Sequence, residues 1–553
     1  MDENYCKYVS SRGILKSCDI YSSTPISGIQ ELINYNFSKL NDNSILYICI
    51  SAIPFFIKNI LNNLQFKIIL VTGDNDETMP TDIGLSNEEF VQFIESEKII
   101  HLFSQNCILL THPKLSQIPI GLDYHTISRS DHFWGKQALP IEQENMIENI
   151  KSTSLPFHER IIKAYANFHF FMETKFGYDR KNAKNYIPED IVYYEPNKIK
   201  RLETWQNQSK YAFVISPHGN GLDCHRTWEA LCLGCIPIVK TSHLDLLYED
   251  LPVLIVKDWS EVNLELLKFT INEFKNKKFD YSKLTLKYWM TKINSYKISV
   301  NTIKQKSVVI TGCCMNVEKY IKNNLDIIEK IGQQFKEYKV VIYENDSIDN
   351  TREILIDNKK DNYHYIFENN ISIKKRTERI AYCRNKILDF VNTNFIHFDY
   401  MLMLDLDDII ASGELSNTIH SCFLYNTDQW DAMFANCSDE YYDIYALRKK
   451  NYLTTCCWNN VYLARRNGIP HYIAYIECIQ KYIINYPINT KLIPVISAFG
   501  GAGLYKIKSI ENSKYLGVEE SHIDKQICEH VPFHQSFIDR GSKLYINPRM
   551  LIR

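Results

Sequence analysis

The chain has no excess of charge of either sign. Its 63 Lys and Arg face 65 Asp and Glu, for a formal net charge of -2. That balance excludes a global pull toward nucleic acid or an anionic membrane and leaves room only for a local basic cleft. Long hydrophobic runs are missing as well. The most apolar stretch, Ile45 to Ile57, is too short to cross a bilayer and contains Pro54, so no membrane span is expected. The N-terminus, MDENYCKYVSSRG, lacks an apolar core of the kind a signal peptide needs, so none is expected. Internal repeats and Pro/Gly/Ser-rich linkers are absent, so domain limits must be read from the alternation of strands and helices. Cysteine is not scarce, at sixteen, but it follows no secreted-framework spacing. Two pairs are adjacent, Cys313-Cys314 and Cys456-Cys457. Reduced, buried thiols in a cytosolic protein are the expectation. The abundance of Asn, Lys, Ile and Tyr suits an AT-rich genome such as that of a giant virus or a protist.

What is present points to several large cores. The apolar fraction is 45% and the aromatic fraction 13% of 553 residues. At roughly 150 residues per compact unit, three or four units are expected. SILYICIS at 44–51 and FKIILVT at 66–72 read as strands joined by an amphipathic stretch, a βαβ signal. Short strands follow between Ile99 and Leu122, and residues 140–200 read as mostly helical and polar. A second series starts with YAFVIS at Tyr211, then a helix near Arg226 to Leu233 and strands at Ile236 to Val239 and Val253 to Val256. Two such halves in about 300 residues predict two facing Rossmann-like lobes. The alternation restarts with SVVITGCC at Ser307, which places a boundary between Lys287 and Lys306. Helices are predicted over Val317 to Phe335 and Arg379 to Val391, and strands over Tyr338 to Tyr343 and Tyr400 to Leu404.

The last of these strands, Tyr400-Met-Leu-Met-Leu-Asp-Leu-Asp-Asp408, delivers Asp405, Asp407 and Asp408 to its carboxyl end, where open α/β sheets bind their ligands. Alternation puts Asp405 and Asp407 on one face. Paired carboxylates repel unless a cation joins them, and Mg²⁺ or Mn²⁺ with a diphosphate suits oxygen donors. A solvated acidic turn is the other reading. Upstream stand Val340-Val-Ile-Tyr-Glu-Asn-Asp-Ser-Ile-Asp-Asn-Thr351 and Arg379-Ile-Ala-Tyr-Cys-Arg-Asn385. These motifs, in this order, resemble the GT-A glycosyltransferases, and more closely the capsule-associated mannosyltransferase-like group, over about residues 307 to 550. The resemblance implies that Glu344 hydrogen-bonds the nucleotide base, with Asp346 and Ser347 on the same turn. It implies that Asp405 and Asp407 serve metal and ribose, Asp407 being the one tied to catalysis. Arg384 would serve phosphate or brace an aspartate, unless it and Arg379 lie on a solvated helix face. Glu344-Asn345 replaces the family's Asp-Asp pair, which leaves the donor base open. Phe499-Gly-Gly-Ala-Gly-Leu-Tyr505 resembles the segment bordering donor sugar and acceptor, or is an ordinary hairpin. In Cys528-Glu-His-Val-Pro-Phe-His534, Glu529 is the candidate general base or acceptor anchor, and His530 or His534 the candidate third metal ligand, or a structural histidine. Asp443 and Arg448, in Tyr441-Tyr-Asp-Ile-Tyr-Ala-Leu-Arg448, also resemble the mannosyltransferase-like group, which implies a place near the acceptor.

In the first block, Tyr211-Ala-Phe-Val-Ile-Ser-Pro-His-Gly-Asn-Gly-Leu-Asp-Cys-His-Arg-Thr-Trp-Glu229 runs from strand through a glycine loop into a helix. Such a turn offers backbone N–H groups and a helix N-terminus to phosphate. Gly219 and Gly221 lack the third glycine of a dinucleotide fingerprint, and no Walker Lys follows. Arg226 and Glu229 share a helix face, suited to diphosphate and ribose respectively, or to a surface ion pair. Cys232 and Cys235 lack a second pair and read as packing residues rather than zinc ligands. Pro217, Gly219, Arg226, Glu229-Ala-Leu231 and Gly234-Cys-Ile-Pro237 resemble the signature of the exostosin-like glycosyltransferases, with Cys224 where the family often has Ser. That resemblance implies a GT-B fold with the donor in its second lobe and no metal. His112 and Gly121-Leu-Asp-Tyr-His125 would then face the cleft from the acceptor lobe, with Asp123 or His125 as base or as part of a turn.

The combined expectation is α/β throughout. Residues 1–300 form a GT-B-like pair of Rossmann-like lobes (acceptor lobe about 1–190, donor lobe about 191–300), followed by a GT-A-type domain at 301–553. The expected activity is transfer of sugars from nucleotide-sugar donors to glycan or glycoprotein hydroxyls. Mn²⁺ or Mg²⁺ is expected in the second domain and no cofactor in the first, with neither nucleic acid nor membrane span. Two alternatives stand: one active domain beside a glycan-binding scaffold, or a nucleotidyltransferase using paired aspartates.

Overall fold

A computed structural model describes residues 2–22, 32, 35–108, 112–488, 490–519 and 522–552. The chain divides into two compact units, Met1–Lys297 and Ile298–Arg553, the division falling inside the helix Leu286–Ile303. Both units are α/β, the first with parallel sheets and the second with a mostly parallel, mixed sheet.

The first unit holds two parallel sheets. One is ordered β1 (Ser44–Cys49), β2 (Ile68–Gly73), β3 (Ile99–Ser104) and β4 (Leu115–Gln117). Every residue of these four strands is buried, which is why β1 and β2 read as nearly continuous apolar runs rather than alternating ones. The other sheet runs β5 (Ile161–Ala166), β6 (Val192–Tyr194), β7 (Tyr211–Ile215), β8 (Ile236–Lys240) and β9 (Leu254–Val256) along the chain, in the spatial order β6-β5-β7-β8-β9. Here the structure corrects the sequence reading. Residues 140–200 are not mostly helical: the helix Pro140–Thr153 gives way to β5 and β6, with the helix Tyr178–Tyr186 between them. Because β5 pairs with β7, a lobe limit near residue 190 would cut through the second sheet.

The second unit is built on one sheet of eight strands. They are β10 (Ser307–Cys314), β11 (Glu337–Asn345), β12 (Tyr363–Glu368), β13 (Tyr400–Asp405), β14 (Ala432–Asn436), β15 (Ile493–Val495), β16 (Ala502–Lys506) and β19 (Leu544–Leu551). A small ribbon, β17 (Val518–Glu519) with β18 (His522–Gln526), stands apart. The spatial order is β12-β11-β10-β13-β16-β14-β19-β15. Strands β10 to β13 are parallel, and β16 runs antiparallel to both β13 and β14. Alternate residues feed two cores: Met401 and Met403 face one, Leu402 and Leu404 the other. The helix Glu318–Gly332 covers the second of these with Ile321, Leu325, Ile328 and Ile331, spaced to form one stripe. This burial fixes β13 centrally, so its carboxyl end opens at the middle of the sheet.

Candidate functional site

In the first unit, a cleft of about 1160 Å³ is lined from both sheets, by Asp123 and His125 on one side and by Gly219, Gly221, Arg226 and Glu229 on the other. The glycine loop is tight. A Cβ on Gly219 would lie 2.8 Å from Arg180 Nη2, and one on Gly221 would lie 2.9 Å from the Asp76 carbonyl oxygen. Asp223 anchors the loop: its carboxylate accepts the Ile120 N–H at 2.8 Å and the Trp228 indole N–H at 2.9 Å, while burial pushes its pKa up. Arg226 donates to the Pro217 carbonyl at 3.3 Å and lies over the Phe168 ring at 4.8 Å. Arg180 donates to the His218 carbonyl at 3.0 Å. Among the described residues, neither guanidinium has an ion-pair partner. Burial, with Arg180 adding to it, pulls Arg226 down to about 10. Two cations thus sit together with no ion-pair partner among the described residues, which is an anion-binding arrangement.

Arg201 joins the two sides. It donates to Asp123 Oδ2 at 2.8 Å and lies 3.6 Å from Glu229 Oε1, so Glu229 meets Arg201 rather than Arg226. Burial works against the Asp123 charge, but Arg201, His225 and His125 hold its pKa well below the usual carboxylate range. His125 Nδ1 lies 3.2 Å from Asp123 Oδ1, and burial lowers the imidazole pKa to about 3. His112 does not line the cleft; it stands 3.9 Å from Glu95. Cys232 and Cys235 are buried packing residues, with Cys235 Sγ 3.2 Å from Arg160 Nη1. Glu195 was not singled out by the sequence. Mostly buried, it accepts the Tyr165 hydroxyl at 2.9 Å and lines the same cleft. Arg180 and Glu195 lie in the polar stretch 140–200 read as helical and Arg201 just beyond it, where no motif marks them.

In the second unit, the turn after β11 is clasped by its own side chains. Glu344 is fully buried; Oε1 accepts the Ser347 N–H at 3.0 Å and Oε2 accepts from Arg352. Its two oxygens are therefore committed to the turn, which corrects its assignment as a free acceptor for a nucleotide base. Asp346, at φ +52°, receives the Asn370 N–H at 2.6 Å and the Ile371 N–H at 3.2 Å, tying the turn to the chain after β12. Ser347 Oγ accepts from the Asn316 N–H at 2.9 Å.

At the end of β13, Arg384 is the hub. Its side chain is 4% exposed, with Nη2 donating to Asp405 Oδ1 at 2.9 Å and Nη1 to Glu529 Oε1. Arg384 therefore braces an aspartate instead of facing phosphate. Asp407, Asp443 and Glu529 lie within electrostatic reach of Asp405. Enclosure and these carboxylates raise the Asp405 pKa against the pull of Arg384. Asp405 and Asp407 do not alternate along one strand, as expected from sequence: β13 stops at Asp405, and Asp407 is exposed in the following bend, its Oδ1 accepting the Ile409 N–H at 3.2 Å. Asp443 is held by the N–H groups of Gly500, at 3.0 Å, and Ala446. Gly500 and Gly501 have φ of +63° and +89°, and a Cβ on either would strike backbone or core atoms. Asp405 N–H in turn donates to the Gly501 carbonyl at 2.9 Å, so the glycine pair frames the acidic end.

His530 and His534 are not metal ligands in this arrangement. His530 Nε2 faces Arg384 Nη1 and its ring stacks on Phe499 at 3.9 Å, while burial and Arg384 push its pKa far down. His534 bonds Ser497 Oγ at 3.0 Å and Tyr505 Oη at 2.9 Å, which uses both ring nitrogens. Among the described residues, no group of three or more His, Cys, Asp or Glu side chains forms a metal cage. Asp405 retains Oδ2 and Asp407 is exposed, an oxygen-only pair that fits a hard divalent cation as part of its shell. Arg448 is buried and donates to the Tyr445 and Leu447 carbonyls.

No protein-family profile and no curated protein matches the chain. Among solved structures, it is similar to the mannosyltransferase PcManGT from Pyrobaculum calidifontis in complex with GDP-Man and Mn²⁺, at 11% identity and a TM-score of 0.26. That match covers 48% of this chain and 64% of the other. It is also similar to glucosyl-3-phosphoglycerate synthase from Mycobacterium tuberculosis in complex with UDP (10% identity, TM-score 0.21, 38% and 61% covered). A third is S. aureus TarS 1–349 (12% identity, TM-score 0.22, 44% and 58% covered). The chain spans less than two thirds of the length of each of these three. Superpositions this partial say nothing of this chain's substrate or metal.

Proposed function

We propose that the chain is a double glycosyltransferase. A GT-B-like, exostosin-like unit is followed by a GT-A-type unit, each moving a sugar from a nucleotide-sugar donor to a hydroxyl of a glycan or glycoprotein acceptor. One observation carries the reading: Asp405, Asp407, Asp443 and Glu529 gather at the carboxyl end of a buried strand against a single guanidinium, Arg384. Four carboxylates and one fixed cation leave a surplus of negative charge, which calls for a mobile cation. Mn²⁺ or Mg²⁺ held by Asp405 and Asp407 would neutralise the leaving nucleoside diphosphate, whose own oxygens would complete the shell. Arg384 holds Asp405 in orientation. Glu529 has Oε1 committed to Arg384, while among the described residues no hydrogen bond occupies Oε2, so Oε2 is the oxygen assigned to the acceptor's proton.

In the first unit the fixed cations Arg226 and Arg180 take the diphosphate directly, so no metal is needed there. Glu229 faces the ribose. His125, 3.2 Å from Asp123 and lining the cleft, is the group assigned to the acceptor hydroxyl there.

The test screens nucleotide sugars for release of nucleoside diphosphate, with and without chelator, using Asp407→Ala and Arg226→Ala. The first variant should silence only chelator-sensitive turnover and the second only chelator-resistant turnover. Loss of both activities from one substitution would sink the two-site reading, and release of pyrophosphate would indicate nucleotidyl transfer instead.

A further inference from the structure

Exposed apolar side chains are unevenly spread over the molecule. Of thirty-one exposed large hydrophobic residues among those described, eight fall between Trp458 and Ile476. Seven sit on two short helices, Cys457–Arg466 and His471–Cys478, and Ile469 on the turn that joins them at Gly468, φ +84°. The helices pack on each other and on the core through little: Cys457 and Val461 are buried in the first, and Ala474 in the second. The outward face carries Trp458 at 47%, Tyr462 at 61% and Tyr472 at 67% exposure, together with Leu463, Ile473 and Ile476. Trp458 and Tyr475 lie with ring centroids 6.2 Å apart, so the apolar surface is continuous across the pair. A water-facing helix normally shows the reverse pattern, apolar inward and polar outward. Concentrated exposure of this kind marks a surface that something covers.

Charge identifies the cover. Residues 449–491 contain Lys449, Lys450, Arg465, Arg466, Lys481 and Lys491 against one acid, Glu477. That acid is already paired with Lys481 at 3.1 Å. The segment is thus strongly basic in a chain whose formal net charge is -2. Trp and Tyr rings beside Arg at a helix end form the composition that settles at a lipid–water boundary. There the rings enter the headgroup region and the bases meet anionic phosphates. No helix among the described residues is long and apolar enough to cross a membrane, so such a contact would lie in the surface plane.

We propose that the helix pair over residues 457–478 is a docking surface for an anionic lipid bilayer. This surface does not depend on the chemistry assigned to either donor site. The test is flotation of the full chain with phosphatidylcholine vesicles with and without phosphatidylglycerol, at low and high salt. The chain should float with the anionic vesicles, less so at high salt, and little with neutral ones. The variant Trp458→Ser/Tyr462→Ser/Tyr472→Ser should lose about tenfold in partition. Arg465→Glu/Arg466→Glu should lose the preference for anionic vesicles. All five side chains are exposed and lie outside both proposed donor sites, so thermal melts of the variants should match the parent. The proposal is overturned if the parent floats with neither vesicle, or if the triple variant floats like the parent. It is equally overturned if the parent ignores vesicles but self-associates in ultracentrifugation, which would make this face a contact between copies.

Discussion

The first cleft and the end of β13 handle charge in opposite ways. The cleft concentrates cations: Arg226 and Arg180 lie together without a carboxylate partner, and burial lowers Arg226. The end of β13 concentrates anions: of four carboxylates there, Asp405 and Glu529 bond Arg384. Under the proposed function both sites face the same problem, a leaving group that departs with a diphosphate charge. One answers with guanidinium groups built into the protein. The other supplies carboxylates and leaves the positive charge to a soluble ion. The difference teaches that a fixed cation is stored at some cost to the empty site, whereas an acidic site stores repulsion that its metal relieves.

That contrast can be broken most forcefully at Arg384. Its removal leaves Glu529 buried without its cation, so Arg384→Ala should cost about 3–5 kcal/mol of stability, read from urea unfolding of the second unit. An unchanged midpoint would mean that the cluster carries no surplus charge. Next in size, Asp407→Ala should lower chelator-sensitive turnover by about 10²–10³-fold, on the scale of losing one transition-state electrostatic contact, with little change in stability because the side chain is exposed. Arg226→Ala should weaken nucleoside diphosphate binding about thirtyfold by calorimetry, the scale of a charge-assisted bond. Unlike Arg384→Ala, it should leave the empty protein about as stable as before, because among the described residues it removes a cation that has no ion-pair partner. A stability loss like that of Arg384→Ala would erase the distinction between the sites.

The smallest effect concerns pH. Burial holds the His534 pKa at about 3, below its ordinary 6.5. A pKa lower in the folded than in the unfolded state gives stability that is complete above pH 6.5 and declines as pH falls toward 3. The decline is about 1.4 kcal/mol per pH unit for this one group. Urea midpoints of the second unit should therefore drop between pH 6.5 and 5, and His534→Gln should flatten that slope.

Much of the fold was legible. Runs such as ILYIC and YMLML are apolar throughout because both faces of their sheets are covered, and they appear in β1 and β13. Strands β5 and β6 escaped notice because IIKAYA is half exposed and VYY has three residues, so pairing with β7 rather than composition makes them strands. The delivery of Asp405 to a strand end was readable from local pattern. The fates of Glu344, Arg384, His530 and His534 were not. Glu344 is captured by Arg352 only because the turn folds back on itself, and Arg384 meets Glu529 across 145 positions of chain.

By itself, then, the sequence determined where the sheets run and which carboxylates arrive at their ends, since hydrophobic periodicity and strand termination are local properties. Tertiary structure alone decided which of those polar groups stay available. Partnership among buried charges depends on contacts between distant segments, and a carboxylate already bound by a guanidinium or a backbone N–H is no longer free for a ligand.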